Sequence, residues 1–130
     1  MKPKGRVFLV DDEQLIVSML TRALRNEGHE VFAETSTDGV IDKITAVSPD
    51  LLILDINMPG QNGLDILKAV RKNELPTQVM MLTANDTAET AAEAMSLGAD
   101  DYLTKPFDLD TIKAAVRDAL ERKSHKQRSL

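Results

Sequence analysis

The chain has 130 residues, a formal net charge of −5 at pH 7 and a composition of 42% hydrophobic and 28% charged residues, which is ordinary for one globular domain. It contains no cysteine, so disulfides and thiolate metal sites are excluded. Its two histidines, His29 and His125, are too far apart in the sequence for a metal-ligand motif. Any metal site must therefore be built from oxygen ligands, and we expect His29 to lie in a solvated loop.

The negative charge and an aromatic content of only 3% argue against nucleic-acid binding by this domain, including by its basic C-terminal residues. The apolar runs are too short for the core of a signal peptide or for a membrane span. We therefore expect a cytoplasmic protein with no membrane association.

Short apolar runs alternate with amphipathic stretches along the chain. The apolar runs predict five strands, at residues 7–10, 31–33, 51–54, 79–82 and 101–103. Apolar residues recur at helical spacing after each run, which predicts helices over 15–24, 40–47, 64–70, 87–97 and 109–120. Gly28 and Gly98 lie where the first and fourth helices end, and Asp108 is placed to cap the last helix. Met80 and Met81 are expected to be core and neighbouring-face residues of the fourth strand rather than a pair of ligands.

This alternation of strands and helices predicts an α/β fold. A parallel sheet of five strands, with helices on both faces, accommodates right-handed crossovers best in the doubly wound, flavodoxin-like order 2-1-3-4-5. The second strand is the less apolar one and is expected near the sheet edge. In this order the first and third strands are neighbours and flank the point where such sheets bind ligands.

Polar residues follow four of the five strands and should meet at one edge of the sheet. Asp11 and Asp12 follow the first strand, Asp55 the third, Thr83 the fourth and Lys105 the fifth. Three crowded carboxylates repel one another, and a hard dication such as Mg²⁺, with Mn²⁺ as a substitute, would relieve that repulsion. Asp55 could then act as a nucleophile towards a phosphoryl group, whose charge Lys105 and Thr83 would help to neutralise.

These motifs, in this order, resemble the receiver domains of two-component response regulators. The resemblance covers about residues 5 to 123 and rests on Asp11-Asp12, on Asp55-Ile56-Asn57-Met58-Pro59 with Gly63, on Thr83-Ala84, and on Lys105-Pro106-Phe107. We therefore expect a receiver domain at 1–123, followed at 124–130 by a polar, basic tail or the start of a linker.

The resemblance implies a role for each residue of the metal and phosphoryl site. Asp55 would accept the phosphoryl group. Asp12, Asp55 and the backbone carbonyl of Asn57 would ligate Mg²⁺, and Asp11 would do so directly or through a water. Lys105 would pair with Asp55 or its phosphate, and the Lys105–Pro106 bond is expected to be cis.

The resemblance also implies a signalling switch that catalyses only its own phosphorylation and slow dephosphorylation. Thr83 and Tyr102 would be switch residues, and the fourth helix, fifth strand and last helix would form the responsive surface, around Ala88, Ala92, Tyr102 and Lys113. The partners would be a sensor histidine kinase or phosphotransfer protein and a downstream effector, with a phosphorylation-dependent homodimer as a further expectation. Asn57 and Asn85 lie where the family tunes the lifetime of the phosphate.

Two other functions are compatible with parts of this pattern, a hydrolase through the Asp after an apolar strand and a cofactor binder through the fold. Hydrolases of the haloacid dehalogenase type place a second Asp two residues after the nucleophile, where this chain has Asn57. A flavodoxin-like cofactor binder needs a loop rich in Ser, Thr and Gly after the first strand. Here Asp11-Asp12-Glu13 would repel a flavin phosphate. Both are therefore less consistent with the sequence than the signalling switch.

Overall fold

The computed structural model describes residues 5–84 and 87–128. Strands and helices alternate along the chain, in the order β1 Arg6–Val10, α1 Gln14–Asn26, β2 Glu30–Glu34, α2 Val40–Val47, β3 Leu51–Asp55, α3 Gly63–Lys72, β4 Gln78–Thr83, α4 Ala88–Ser96, β5 Asp101–Thr104 and α5 Leu109–Arg128. The five strands form one parallel sheet in the order β2-β1-β3-β4-β5. The predicted fold class and strand order are therefore confirmed.

The central strands β1, β3 and β4 are buried on both faces, as their continuous apolar runs require, while the edge strands β2 and β5 are partly exposed. On one face, Val7, Leu9, Ile53 and Met80 pack in a core with residues of α1 and α5. Their sequence neighbours point to the other face and pack with residues of α2, α3 and α4, among them Phe8, Leu54 and Met81. Because side chains alternate along a strand, Met80 and Met81 enter opposite cores, as predicted.

The ends of the elements agree with the predicted caps. Gly28 and Gly98 have positive φ angles of 95° and 105° after α1 and α4. The Asp108 carboxylate accepts a hydrogen bond from the Thr111 N–H at 2.7 Å ahead of α5. No helix in the described parts of the chain is long and apolar enough to cross a membrane.

The prediction that His29 lies in a solvated loop is wrong, because the residue is only 5% exposed. The turn between α1 and β2 is so short that the His29 N–H donates to the carbonyl of Leu24, back in α1, at 3.2 Å. That bond places the backbone of His29 beside the end of α1. The helix α5 continues beyond residue 123 to Arg128, while the domain boundary at 123 stays a prediction. Asn85 lies outside the described residues.

Arg71, in the last turn of α3, bonds to the segment that follows α3 and to the segment that joins α4 to β5. Its guanidinium donates to the carbonyls of Gly98 at 2.8 and 3.0 Å, Leu75 at 3.3 Å and Thr77 at 2.7 Å, and to the Asp100 carboxylate at 3.0 Å. Asp100 also accepts the Val79 N–H at 2.9 Å. The planar fork of an arginine can satisfy this many fixed acceptors, whereas a lysine ammonium has only three donors. Arg71 therefore fixes the end of α4 and the start of β5 against α3.

We expect Arg71→Lys to lower the free energy of unfolding by about 2 kcal/mol, because partly buried carbonyls lose their donor. Arg6→Lys is the matched control. Arg6 also bonds a carbonyl and an acid, but its side chain is 54% exposed, so the expected loss is below about 0.5 kcal/mol. Urea unfolding of the wild type, Arg71→Lys and Arg6→Lys measures both losses of unfolding free energy. Equal losses would contradict the stabilising role of Arg71.

Candidate functional site

Three carboxylates meet at the carboxyl edge of the sheet. Val10 is paired in register with Leu54, so the residues that follow β1 lie beside the last residue of β3. Asp11 is fully buried, Asp12 is exposed and Asp55 is 4% exposed. One oxygen from each lies within 4.8 Å of the others. The register of two neighbouring strands thus brings together three acids from two separate segments.

The loop after β3 returns close to Asp55, and a glycine allows this approach. A Cβ atom at Gly63 would lie 2.1 Å from the Asp55 carbonyl oxygen, so no other residue fits without moving the backbone. The Gly63 N–H donates to the Ile56 carbonyl at 2.8 Å, and the Asn62 side chain caps α3 through the Leu64 N–H at 2.7 Å. The start of α3 is therefore fixed against the backbone of the acidic site.

Lys105 places a positive charge among the carboxylates of the site. Its Nζ lies 2.8 Å from Asp11 Oδ2, 2.8 Å from Glu13 Oε1 and 3.5 Å from Asp55 Oδ2, and its side chain is only 10% exposed. The Lys105 N–H donates to the Thr83 carbonyl at 2.8 Å, which joins the ends of β5 and β4. The Lys105–Pro106 bond is cis, as expected.

The electrostatics of the site follow from this crowding. Burial and the charge of Asp11 raise the pKa of Asp55 from 3.8 to about 6, although Lys105 and the Asn57 N–H act in the opposite direction. Burial lowers the pKa of Lys105, but its contacts with Asp11 and Glu13 outweigh burial, and the pKa lies above its ordinary value. The site therefore holds a charged lysine and an aspartate that is costly to ionise.

This set of side chains fits a hard divalent cation. All the candidate ligands are oxygens, and Asp12 is the exposed member of the group, so a metal could be reached from solvent. A dication would offset both the burial and the charge of Asp11, which together raise the pKa of Asp55. Asn57 is an exposed residue of the loop after β3. The role of its carbonyl as a metal ligand stays a prediction.

The two predicted switch residues lie on the strands beside the site. Thr83 is buried and ends β4, one residue after Leu82, which is paired with Asp55. Tyr102 lies on β5, paired with Met81, and is partly buried against the core on the face of α2, α3 and α4. Ala88 and Ala92 are exposed on α4. Lys113 lies on α5 and lines a groove with residues of α1, and its place on the predicted switch surface stays a prediction.

Glu13 was not predicted to contribute to the site. Its N–H donates to Asp11 Oδ1 at 2.9 Å, while its carboxylate contacts Lys105, 92 residues away in sequence. The only signal in the sequence is a third acid directly after Asp11-Asp12. That position precedes α1, where an acid is also explained by the helix dipole, so the sequence alone does not separate the two interpretations.

Comparisons with known proteins agree with this geometry. Residues 7–117 match the family described as the response regulator receiver domain. The chain is 42% identical over 125 residues to the transcriptional regulatory protein TrcR of Mycobacterium tuberculosis, covering 95% of this chain and 48% of TrcR. It is 45% identical over 121 residues to the response regulator protein PmrA of Pseudomonas aeruginosa, covering 92% of this chain and 53% of PmrA.

The structure of the Francisella response regulator 1452 receiver domain is similar throughout, with a TM-score of 0.85 and 29% identity over 91% of this chain and 98% of that domain. The chain thus spans about half the length of TrcR and PmrA but nearly all of a receiver domain. A match over most of its residues, an acidic cluster at the predicted edge and the order 2-1-3-4-5 all agree. The chain belongs to the response regulator receiver domains of two-component systems.

Proposed function

We propose that Asp55 accepts a phosphoryl group from a histidine kinase or phosphotransfer protein in a reaction that requires Mg²⁺. The observation that supports this most is the meeting of Asp11, Asp12, Asp55 and Lys105 at one edge of the sheet. A receiver domain is a signalling domain rather than an enzyme with an external product. Its own phosphorylation and slow dephosphorylation are the only reactions we assign to it.

The proposed transfer uses side chains that the sheet brings together at its carboxyl edge. An Asp55 oxygen forms a bond to phosphorus while the bond from phosphorus to the imidazole nitrogen of the donor breaks, leaving the electron pair on that nitrogen. Mg²⁺, held by Asp12, Asp55 and the carbonyl of Asn57, and by Asp11 directly or through a water, would supply positive charge to the transferring group. Lys105, charged and 3.5 Å from Asp55, supplies the second positive charge. The Thr83 hydroxyl donates to a phosphoryl oxygen.

The output surface is formed by α4, β5 and α5. Ala94 is the only residue of α4 that is buried, so this helix can shift at a small cost in packing. Arg71 holds its C-terminal end, which leaves the end nearer Thr83 as the part that moves. Arg122 of α5 pairs with Asp101 of β5 on the same surface. Movement of Thr83 and Tyr102 would bias the surface towards an effector or a second copy of the domain.

The first experiment is the intact mass of the protein after incubation with acetyl phosphate, with and without Mg²⁺. We expect one phosphoryl adduct that requires Mg²⁺ and is absent from Asp55→Asn. Asp65→Asn is the matched control, because Asp65 is an exposed acid of α3 outside the cluster and outside the output surface, and it should be labelled like the wild type. Labelling of Asp55→Asn would contradict the assignment of the acceptor. Repeated turnover of a simple phosphate ester would favour a hydrolase instead.

The raised pKa of Asp55 predicts how stability depends on pH. Its pKa of about 6 in the folded protein lies above the ordinary value of 3.8, so the unfolded chain releases this proton first as the pH rises. Ionisation of Asp55 therefore destabilises the metal-free fold between these values. The cost is fully present above about pH 6 and is at most about 3 kcal/mol.

We expect Asp55→Asn to raise the melting temperature of the metal-free protein by about 5 °C near pH 7, because it removes this cost. The difference should shrink as the pH falls towards about 4, where Asp55 is protonated in both states. Mg²⁺ should stabilise the wild type more than the variant, since the variant lacks a ligand. Thermal melts across this pH range test all three effects, and a variant less stable at neutral pH with an unchanged response to Mg²⁺ would contradict the account.

A further inference from the structure

Glu13 is one of three acids whose carboxylates lie within 3.5 Å of the Lys105 Nζ. The ammonium has three N–H donors, and three carboxylates face it, with Asp11 and Glu13 at 2.8 Å and Asp55 at 3.5 Å. The two shorter contacts are made with the residues other than the proposed acceptor. Lys105 is therefore committed to Asp11 and Glu13 before phosphorylation, although the reaction needs its charge at Asp55.

We propose that Glu13 is a positioning residue that holds the Lys105 ammonium in the unphosphorylated protein and must release it to the phosphoryl group as the transfer to Asp55 takes place. This inference rests on the proposed function, since it assigns a step of regulation to the same site. Glu13 neither ligates the metal nor touches the phosphoryl group in this account. It acts only through Lys105.

The acids around Lys105 are Asp11, Glu13 and Asp55, and their burial decides which of them releases the ammonium. The Asp11 side chain is 0% exposed and that of Asp55 is 6% exposed, so either would be left as a poorly solvated charge. The Glu13 side chain is 57% exposed, and water can solvate its carboxylate as soon as the contact breaks. Glu13 is therefore the acid that gives up its contact at the smallest cost.

The backbone of Glu13 allows the side chain to leave without disturbing the site. Its N–H donates to Asp11 Oδ1 at 2.9 Å, and its carbonyl accepts the Val17 N–H at 3.1 Å in the first turn of α1. These bonds do not involve the Glu13 carboxylate. Release of Lys105 therefore needs only rotation of the Glu13 side chain.

The test compares Glu13→Gln, Glu13→Asp and Glu30→Gln with the wild type. Glu13→Gln removes the charge, while Glu13→Asp keeps it on a side chain one methylene shorter, which separates the contact from the charge. Glu30→Gln is the matched control. It loses the same charge and an ion pair, with Arg6 at 3.1 Å, but at the opposite edge of the sheet, with a similar side-chain exposure of 61%.

Two readouts are measured, namely the rate of adduct formation with acetyl phosphate and Mg²⁺, and the exchange of the Lys105 ammonium protons with water by ¹⁵N NMR in the metal-free protein. We expect both Glu13 variants to be labelled about three times faster than the wild type, because Lys105 no longer leaves a partner, and Glu30→Gln to be unchanged. The ammonium protons should exchange faster in both Glu13 variants only. A purely structural role for Glu13 would leave the exchange unchanged.

Three results would overturn the proposal. If the Glu13 variants are labelled at the rate of Glu30→Gln, the contact between Glu13 and Lys105 does not limit the rate of phosphorylation. Faster labelling of Glu13→Gln with a wild-type rate for Glu13→Asp would assign the effect to charge at the entrance of the site rather than to the contact. Absence of any adduct on the wild type would overturn the proposed function and this inference with it, whereas either of the other results leaves the function in place.

Discussion

The site depends on the repulsion among three carboxylates that the sheet brings within a few ångströms of one another. The pairing of β1 with β3 brings Asp11, Asp12 and Asp55 together, and one oxygen of each lies within 4.8 Å of the others. Lys105 faces three acids at once, because Glu13 joins Asp11 and Asp55. The result is a local excess of negative charge that a divalent metal would balance.

This excess of negative charge lowers the stability of the fold, but it also makes the site responsive to ligands. A folded protein would be more stable with a neutral residue in place of Asp55, whose pKa rises to about 6 through burial and the charge of Asp11. A residue that lowers stability and shares a cleft with a buried lysine indicates a functional role. The same charge makes the site responsive, since binding of a cation and addition of a phosphoryl group both alter the balance that holds Lys105 in place.

The surrounding structure places these charges and limits what can move. Gly63 lets the loop after β3 pack against the Asp55 carbonyl, and the cis bond at Lys105–Pro106 follows directly on the lysine. Arg71 fixes the C-terminal end of α4, while the rest of that helix is held mainly by Ala94. The fold thus combines a rigid site with a loosely packed helix on the neighbouring face.

Much of this could be predicted from the sequence, because the strands are continuous apolar runs and the polar residues follow their ends. The alternation of elements gave the parallel sheet, and the order 2-1-3-4-5 brought the acids of two strands together. The contact between Glu13 and Lys105 could not be predicted, since it depends on the side-chain conformations of residues 92 positions apart. The burial of His29 was missed for a similar reason, because it follows from a short turn rather than from composition.

The most direct measurement is the position of the acyl phosphate itself. The protein is incubated with acetyl phosphate and Mg²⁺, the aspartyl phosphate is reduced with borohydride, and the modified residue is located by peptide mass spectrometry. The account predicts that Asp55 alone is converted to homoserine, and only when Mg²⁺ is present. Modification of Asp11 or Asp12, or modification of Asp55 that does not depend on Mg²⁺, would contradict the central claim.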